Sequence, residues 1–96
     1  MNNKKQNNET KVLVVDDLDI NLKLLSEILK KNNISVTTTN SGEEAIHLAH
    51  EINPDLILLD IAMPEKDGFD VCTELKNSSA TNNIPIIFLT ARNQTE

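Results

Sequence analysis

Residues 56–60 read Leu56-Ile57-Leu58-Leu59-Asp60: four apolar side chains in a row, then a carboxylate. A run of this kind has no polar face, which fits a short strand buried on both sides, as in a parallel sheet. Two more runs have the same form. Val12-Leu13-Val14-Val15 is followed by Asp16 and Asp17, and Ile86-Ile87-Phe88-Leu89 is followed by Thr90. In an open parallel sheet the carboxyl ends of the strands line one edge, and ligands bind in the crevice there. Three carboxylates and a hydroxyl should therefore converge. Such a cluster repels itself unless a cation neutralises it, which marks it as a candidate site.

The segments between these runs have helical or turn character. Ile20, Leu24, Leu25, Ile28 and Leu29 recur at three- and four-residue intervals, predicting a helix with one apolar stripe, closed by Lys30 to Asn33. Ile34 to Thr38 is rich in β-branched residues and reads as a strand. Ser41-Gly42-Glu43-Glu44 has the form of a capping box, opening a helix that buries Ala45, Ile46, Leu48 and Ala49 and ends near Asn53-Pro54. Ile61 to Lys66 reads as a loop. Asp67 caps a helix carrying Phe69, Val71, Cys72 and Leu75, and Asn77 to Asn83 is turn-like. The order is β-α-β-α-β-α-β, so the class is α/β with a parallel sheet. Residues 1–10 hold no apolar residue after Met1 and read as a disordered polar tail, leaving 11–96 as one domain.

Composition narrows the function. Nine basic against fifteen acidic residues give a formal charge of -6, which disfavours direct nucleic-acid binding. Cys72 is the single cysteine, so no internal disulfide forms, and a reducing cytoplasm suits the chain. No apolar stretch approaches the roughly 18 residues that read as a membrane-spanning helix, so no membrane association is expected. His47 and His50 lie three apart on a helix, but zinc needs further ligands, and the pair reads as surface decoration. Asn21 follows the acidic pair closely enough to border the pocket, and equally fits an exposed helical position.

If strand one lies beside strand three, and strand three beside strand four, Asp16 and Asp17 flank Asp60 on one side and Thr90 on the other, since neighbouring strands are about 4.8 Å apart. Mg²⁺ suits such carboxylates, because it takes one or two of them together with water and phosphate oxygens. A carboxylate beside that ion can attack a phosphoryl group and hold it as an aspartyl phosphate.

Asp16-Asp17, the stretch from Pro54 to Pro64 around Asp60, Asp67-Gly68, and Phe88-Leu89-Thr90-Ala91 resemble the receiver domain of two-component response regulators. The resemblance covers about Lys11 to Arg92. It implies a doubly wound, flavodoxin-like sheet with strand order 2-1-3-4-5, the order also found in a chemotaxis receiver. It further implies that Asp60 is the phosphoacceptor and Asp17 a direct Mg²⁺ ligand, with Asp16 assisting, often through water. The backbone carbonyl of Ala62 would be another ligand and Thr90 the switch hydroxyl. Ala91 would leave room for the phosphoryl group. A histidine kinase or a histidine phosphotransfer protein would be the partner.

Receivers of this family continue through a helix, a fifth strand bearing a lysine, and a last helix. The sequence stops at Glu96, just after strand four, and neither Lys76 nor Arg92 occupies that lysine's place. An incomplete receiver is therefore expected, with strand four exposed as an edge through which copies could self-associate. Four functions compete. The first is a phosphorelay receiver that catalyses only its own phosphorylation and dephosphorylation at Asp60. The second is a phosphorylation-independent interaction module that keeps the fold without the complete switch. An aspartate-nucleophile phosphatase is disfavoured, because Ala62 stands where its general acid would be. A dinucleotide-binding fold lacks its glycine fingerprint, since only Gly42 and Gly68 are present.

Overall fold

An interior strand of the sheet is its most deeply buried. In the computed structural model, which describes residues 9–89, Lys11–Val15 forms β1, and Val12 to Val15 are all buried. The remaining elements are α1 (Asp19–Lys31), β2 (Ser35–Thr39), α2 (Gly42–Ile52), β3 (Leu56–Asp60), α3 (Gly68–Lys76) and β4 (Ile86–Leu89). The four strands form one parallel sheet in the order β2-β1-β3-β4. This is the expected neighbour pattern, with β1 beside β3 and β3 beside β4.

Helices cover both faces of the sheet, so successive strand residues serve different cores. Leu13, Val15, Ile57 and Leu59 point to one side, where they pack with Ala45 and Ala49 of α2 and with Val71 and Leu75 of α3. Val12 and Val14 point to the other side and meet Leu22, flanked by Leu25 and Leu29 of α1. The two alanines let α2 lie close to the sheet. Phe88 joins the first core and stacks at an inclined angle on Phe69, with ring centroids 5.3 Å apart.

The stripe expected on α1 needs correction. Leu25 and Leu29 pack inward, but Ile20, Leu24 and Ile28 are 61%, 52% and 55% exposed, and the buried residue is Leu22. Apolar residues occupy two lines with helical spacing, 20-24-28 and 22-25-29. Only the second faces Val12 and Val14.

The capping box at α2 is also only half formed. Ser41 Oγ accepts from the Glu44 N–H at 3.2 Å, as expected, but the Glu44 carboxylate does not return to the Ser41 N–H. Thr39 stands between them: its hydroxyl donates to Glu44 Oε1 and accepts from the Ser41 N–H. The cap is thereby tied to the last residue of β2. At the other end of α2, Asn53 takes a left-handed conformation (φ 49°) that ends the helix, a geometry asparagine tolerates well. β2 itself runs one residue later than the sequence suggests, and the polar turn after α3 buries Thr81, whose hydroxyl donates to the Leu75 carbonyl.

Candidate acidic site at the strand ends

Register brings the acids together. Val15 pairs with Leu59, so the next residues, Asp16 and Asp60, are level at the ends of adjacent strands. Asp17 follows in the turn before α1. One carboxylate oxygen from each of Asp16, Asp17 and Asp60 lies within 4.8 Å of the other two. Asp60 is also level with Leu89 of β4. Thr90, the expected hydroxyl, and Ala91 lie outside the described residues.

The three carboxylates have different surroundings. Asp16 is 2% exposed, and both its oxygens take donors from the chain. The Leu18 N–H reaches Oδ1 at 3.0 Å, and the Asn21 side-chain amide reaches Oδ2 at 3.1 Å. Its own N–H donates to the Thr39 carbonyl at 3.2 Å, extending the β1–β2 ladder. By contrast, Asp17 Oδ1 is a buried atom that meets no hydrogen-bond donor among the described residues. Asp60 is 4% exposed, and its Oδ1 accepts from the Ala62 N–H at 3.4 Å.

The loop after Asp60 is shaped by a close approach. The Gly68 N–H donates to the Ile61 carbonyl at 2.9 Å, so the start of α3 folds back onto the end of β3. A Cβ on Gly68 would stand 2.4 Å from the Asp60 carbonyl oxygen and 2.8 Å from Ile61 Cα. Both are backbone atoms that cannot swing away, so glycine is required here. Asp67 Oδ1 caps α3 by accepting from the Asp70 N–H at 2.9 Å. Glu65, in the same loop, holds a left-handed φ of 66°.

Lys66 and Lys76, in the loop and helices around the sheet, are engaged with other partners. Lys66 Nζ pairs with Glu74, and that hydrogen bond holds its ammonium above the ordinary lysine range. Lys76 Nζ donates to the carbonyls of Asn82 and Ile84, closing the turn into β4. Lys76 is thus kept away from the acids, as its sequence position suggests. His47 and His50 are both exposed on α2. His50 Nδ1 donates to the Ile46 carbonyl at 2.9 Å, and its Nε2 is hydrogen-bonded with the Ser78 hydroxyl at 3.2 Å. Among the described residues, the acids are the cluster that could hold a metal.

An acidic trio at the carboxyl edge of a doubly wound sheet has clear relatives. Residues 12–96 match the family model for the response regulator receiver domain. The chain belongs to the response regulator receiver family. It is 45% identical over 89 residues to the transcriptional regulatory protein ResD of Bacillus subtilis, covering 93% of this chain and 36% of that protein. It is 42% identical over 81 residues to the response regulator PleD of Caulobacter vibrioides, covering 84% and 18%. The polar-differentiation response regulator DivK of Brucella ovis is 40% identical over 80 residues, covering 83% and 65%. The chain therefore spans less than two thirds of each of these proteins.

Solved receiver structures agree with the fold. The N-terminal domain of a response regulator receiver protein from Methanoculleus marisnigri superposes with a TM-score of 0.83 at 35% identity, covering 88% of this receiver and 69% of that chain. The receiver domain of the sensor histidine kinase PA1611 from Pseudomonas aeruginosa also gives 0.83, at 28% identity, with 88% and 69% covered. That structure has a magnesium ion coordinated in its active site cleft.

Asn21 is the site residue that sequence reasoning left undecided. Its place in the first turn of α1, five residues after Asp16, was the available signal, but an exposed rotamer fits the same spacing. The hydrogen bond from the Asp16 N–H to the Thr39 carbonyl is a second support with no side-chain signature in the sequence.

Proposed function

We propose that this receiver accepts a phosphoryl group on Asp60 from the phosphohistidine of a histidine kinase or histidine phosphotransfer protein. The observation that carries this is the convergence of Asp16, Asp17 and Asp60 at the ends of β1 and β3, in a chain of the receiver family. An Asp60 carboxylate oxygen attacks phosphorus, forming an O–P bond as the P–N bond to the imidazole breaks. The departing nitrogen keeps the electron pair. Hydrolysis of the acyl phosphate would restore the carboxylate, so the chain acts on itself rather than turning over a separate substrate.

The donor set fits a hard divalent cation. It is all oxygen, and Asp17 Oδ1 is buried without a hydrogen-bond donor among the described residues. Asp17, Asp60 and the backbone carbonyl of Ala62 would hold Mg²⁺, with Asp16 assisting. When bound, the ion supplies positive charge against the phosphoryl oxygens. Thr90, one residue past the partner of Asp60 in the ladder, would donate its hydroxyl to a phosphoryl oxygen and link phosphorylation to a change of shape. Among the described residues no helix is long and apolar enough to cross a membrane, and a cytoplasmic location would keep Cys72 reduced.

Incubation with acetyl phosphate and MgCl₂, followed by intact-mass measurement, tests the proposal. The wild-type chain should gain one phosphoryl group and Asp60→Asn none. Label retained in Asp60→Asn would place the acceptor elsewhere. No label in the wild type would favour an interaction module that works without phosphorylation.

A further inference from the structure

We infer that Asn21 is a positioning residue for the acidic site: it fixes Asp16 so that Asp17 presents the available oxygen to the cation. This rests on the cation-assisted function proposed above and concerns how the two adjacent acids come to differ.

Asp16 is held at three points. Its N–H is bound by Thr39, its Oδ1 by the Leu18 N–H and its Oδ2 by the Asn21 amide. Two of these contacts are made by backbone groups and follow from the path of the chain. The Asn21 contact is made by a side chain and can be deleted without disturbing that path. Helix capping does not account for Asn21, because the N-cap of α1 is Leu18, three residues earlier. Asparagine is also an indifferent helix former, so propensity does not call for it in α1.

The chemistry of an amide suits the task. Three carboxylates within 4.8 Å repel one another, and a donor on Asp16 lowers that cost. A lysine or arginine at position 21 would lower it further but would compete with the cation. A neutral amide orients Asp16 and leaves the charge of the site for the metal. With Asp16 turned toward Leu18 and Asn21, Asp17 Oδ1, which meets no donor among the described residues, is the stronger candidate for direct ligation. Groups that orient ligands commonly change metal affinity by about 10- to 100-fold when removed.

The test is a Mg²⁺ titration of the 96-residue chain, read as the thermal unfolding midpoint at constant ionic strength. The variants are Asn21→Ala, the isosteric Asp16→Asn, and the two combined. Asn21→Ala should weaken the apparent Mg²⁺ affinity by about tenfold. In the Asp16→Asn background the same change should cost far less, because the carboxylate it orients is gone. A merely structural Asn21 would lower the midpoint without Mg²⁺ and leave the affinity unchanged. Unchanged affinity, or an undiminished loss in the Asp16→Asn background, overturns the inference while leaving the cation site standing. A wild-type chain whose midpoint does not respond to Mg²⁺ would overturn the cation site and this inference together.

Discussion

Asp16 and Asp17 are adjacent in sequence, yet one has both carboxylate oxygens hydrogen-bonded and the other has a buried oxygen that meets no donor among the described residues. That difference sets the first expectation. Mg²⁺ at ten times its Kd should stabilise the wild-type chain by about 1.4 kcal/mol, raising the unfolding midpoint by several degrees. Asp17→Ala should show no such rise, and in the absence of Mg²⁺ it should melt no lower, because one of three repelling charges is gone. An equal Mg²⁺ response in Asp17→Ala would remove the ion from this pocket. The acids themselves were legible in the sequence, since each ends or follows an apolar run whose parallel pairing fixes where they meet. Asn21 was not legible, because its role depends on a rotamer and spacing alone does not choose one.

Elements position these residues through a few close contacts. Gly68 allows α3 to start against the backbone of Asp60, so Gly68→Ala should cost about 1–3 kcal/mol by forcing the loop outward. Urea unfolding should show the loss as a lower midpoint at unchanged slope, and acetyl phosphate labelling of Asp60 should fall with it. A neutral Gly68→Ala would mean that the loop yields easily and does not hold Asp60. The strand bounds were readable to within a residue because each apolar or β-branched run stops at polar or turn-forming residues. The α1 helix was readable as a helix, but its buried side was not. Its apolar residues form two lines, and only the sheet beneath decides that 22-25-29 faces inward. The capping box was half readable, because Thr39 lies before the motif and diverts Glu44 through a contact that the local pattern does not contain.

At the scale of the molecule, β4 lies at one edge of the sheet among the described residues, with Ile87 exposed on the same face as α1. Ile20, Leu24 and Ile28 add an exposed apolar row on that helix. Unpaired strand edges and apolar patches both favour association. We therefore propose that the 96-residue polypeptide on its own self-associates through β4 as concentration rises, with Ile87→Lys reducing the effect. Light scattering should show it, more strongly at high salt, where the charge of -6 is screened. A monomer at every concentration would contradict the proposal. The central claim, that Asp60 is the phosphoacceptor, is tested most directly by reducing the acetyl-phosphate-treated chain with borohydride and sequencing its peptides by mass spectrometry. An acyl phosphate is reduced to the alcohol, so homoserine should appear at position 60 in treated wild-type protein and depend on Mg²⁺. Homoserine at another aspartate, or intact Asp60 in protein that carries a phosphoryl group, would contradict the claim.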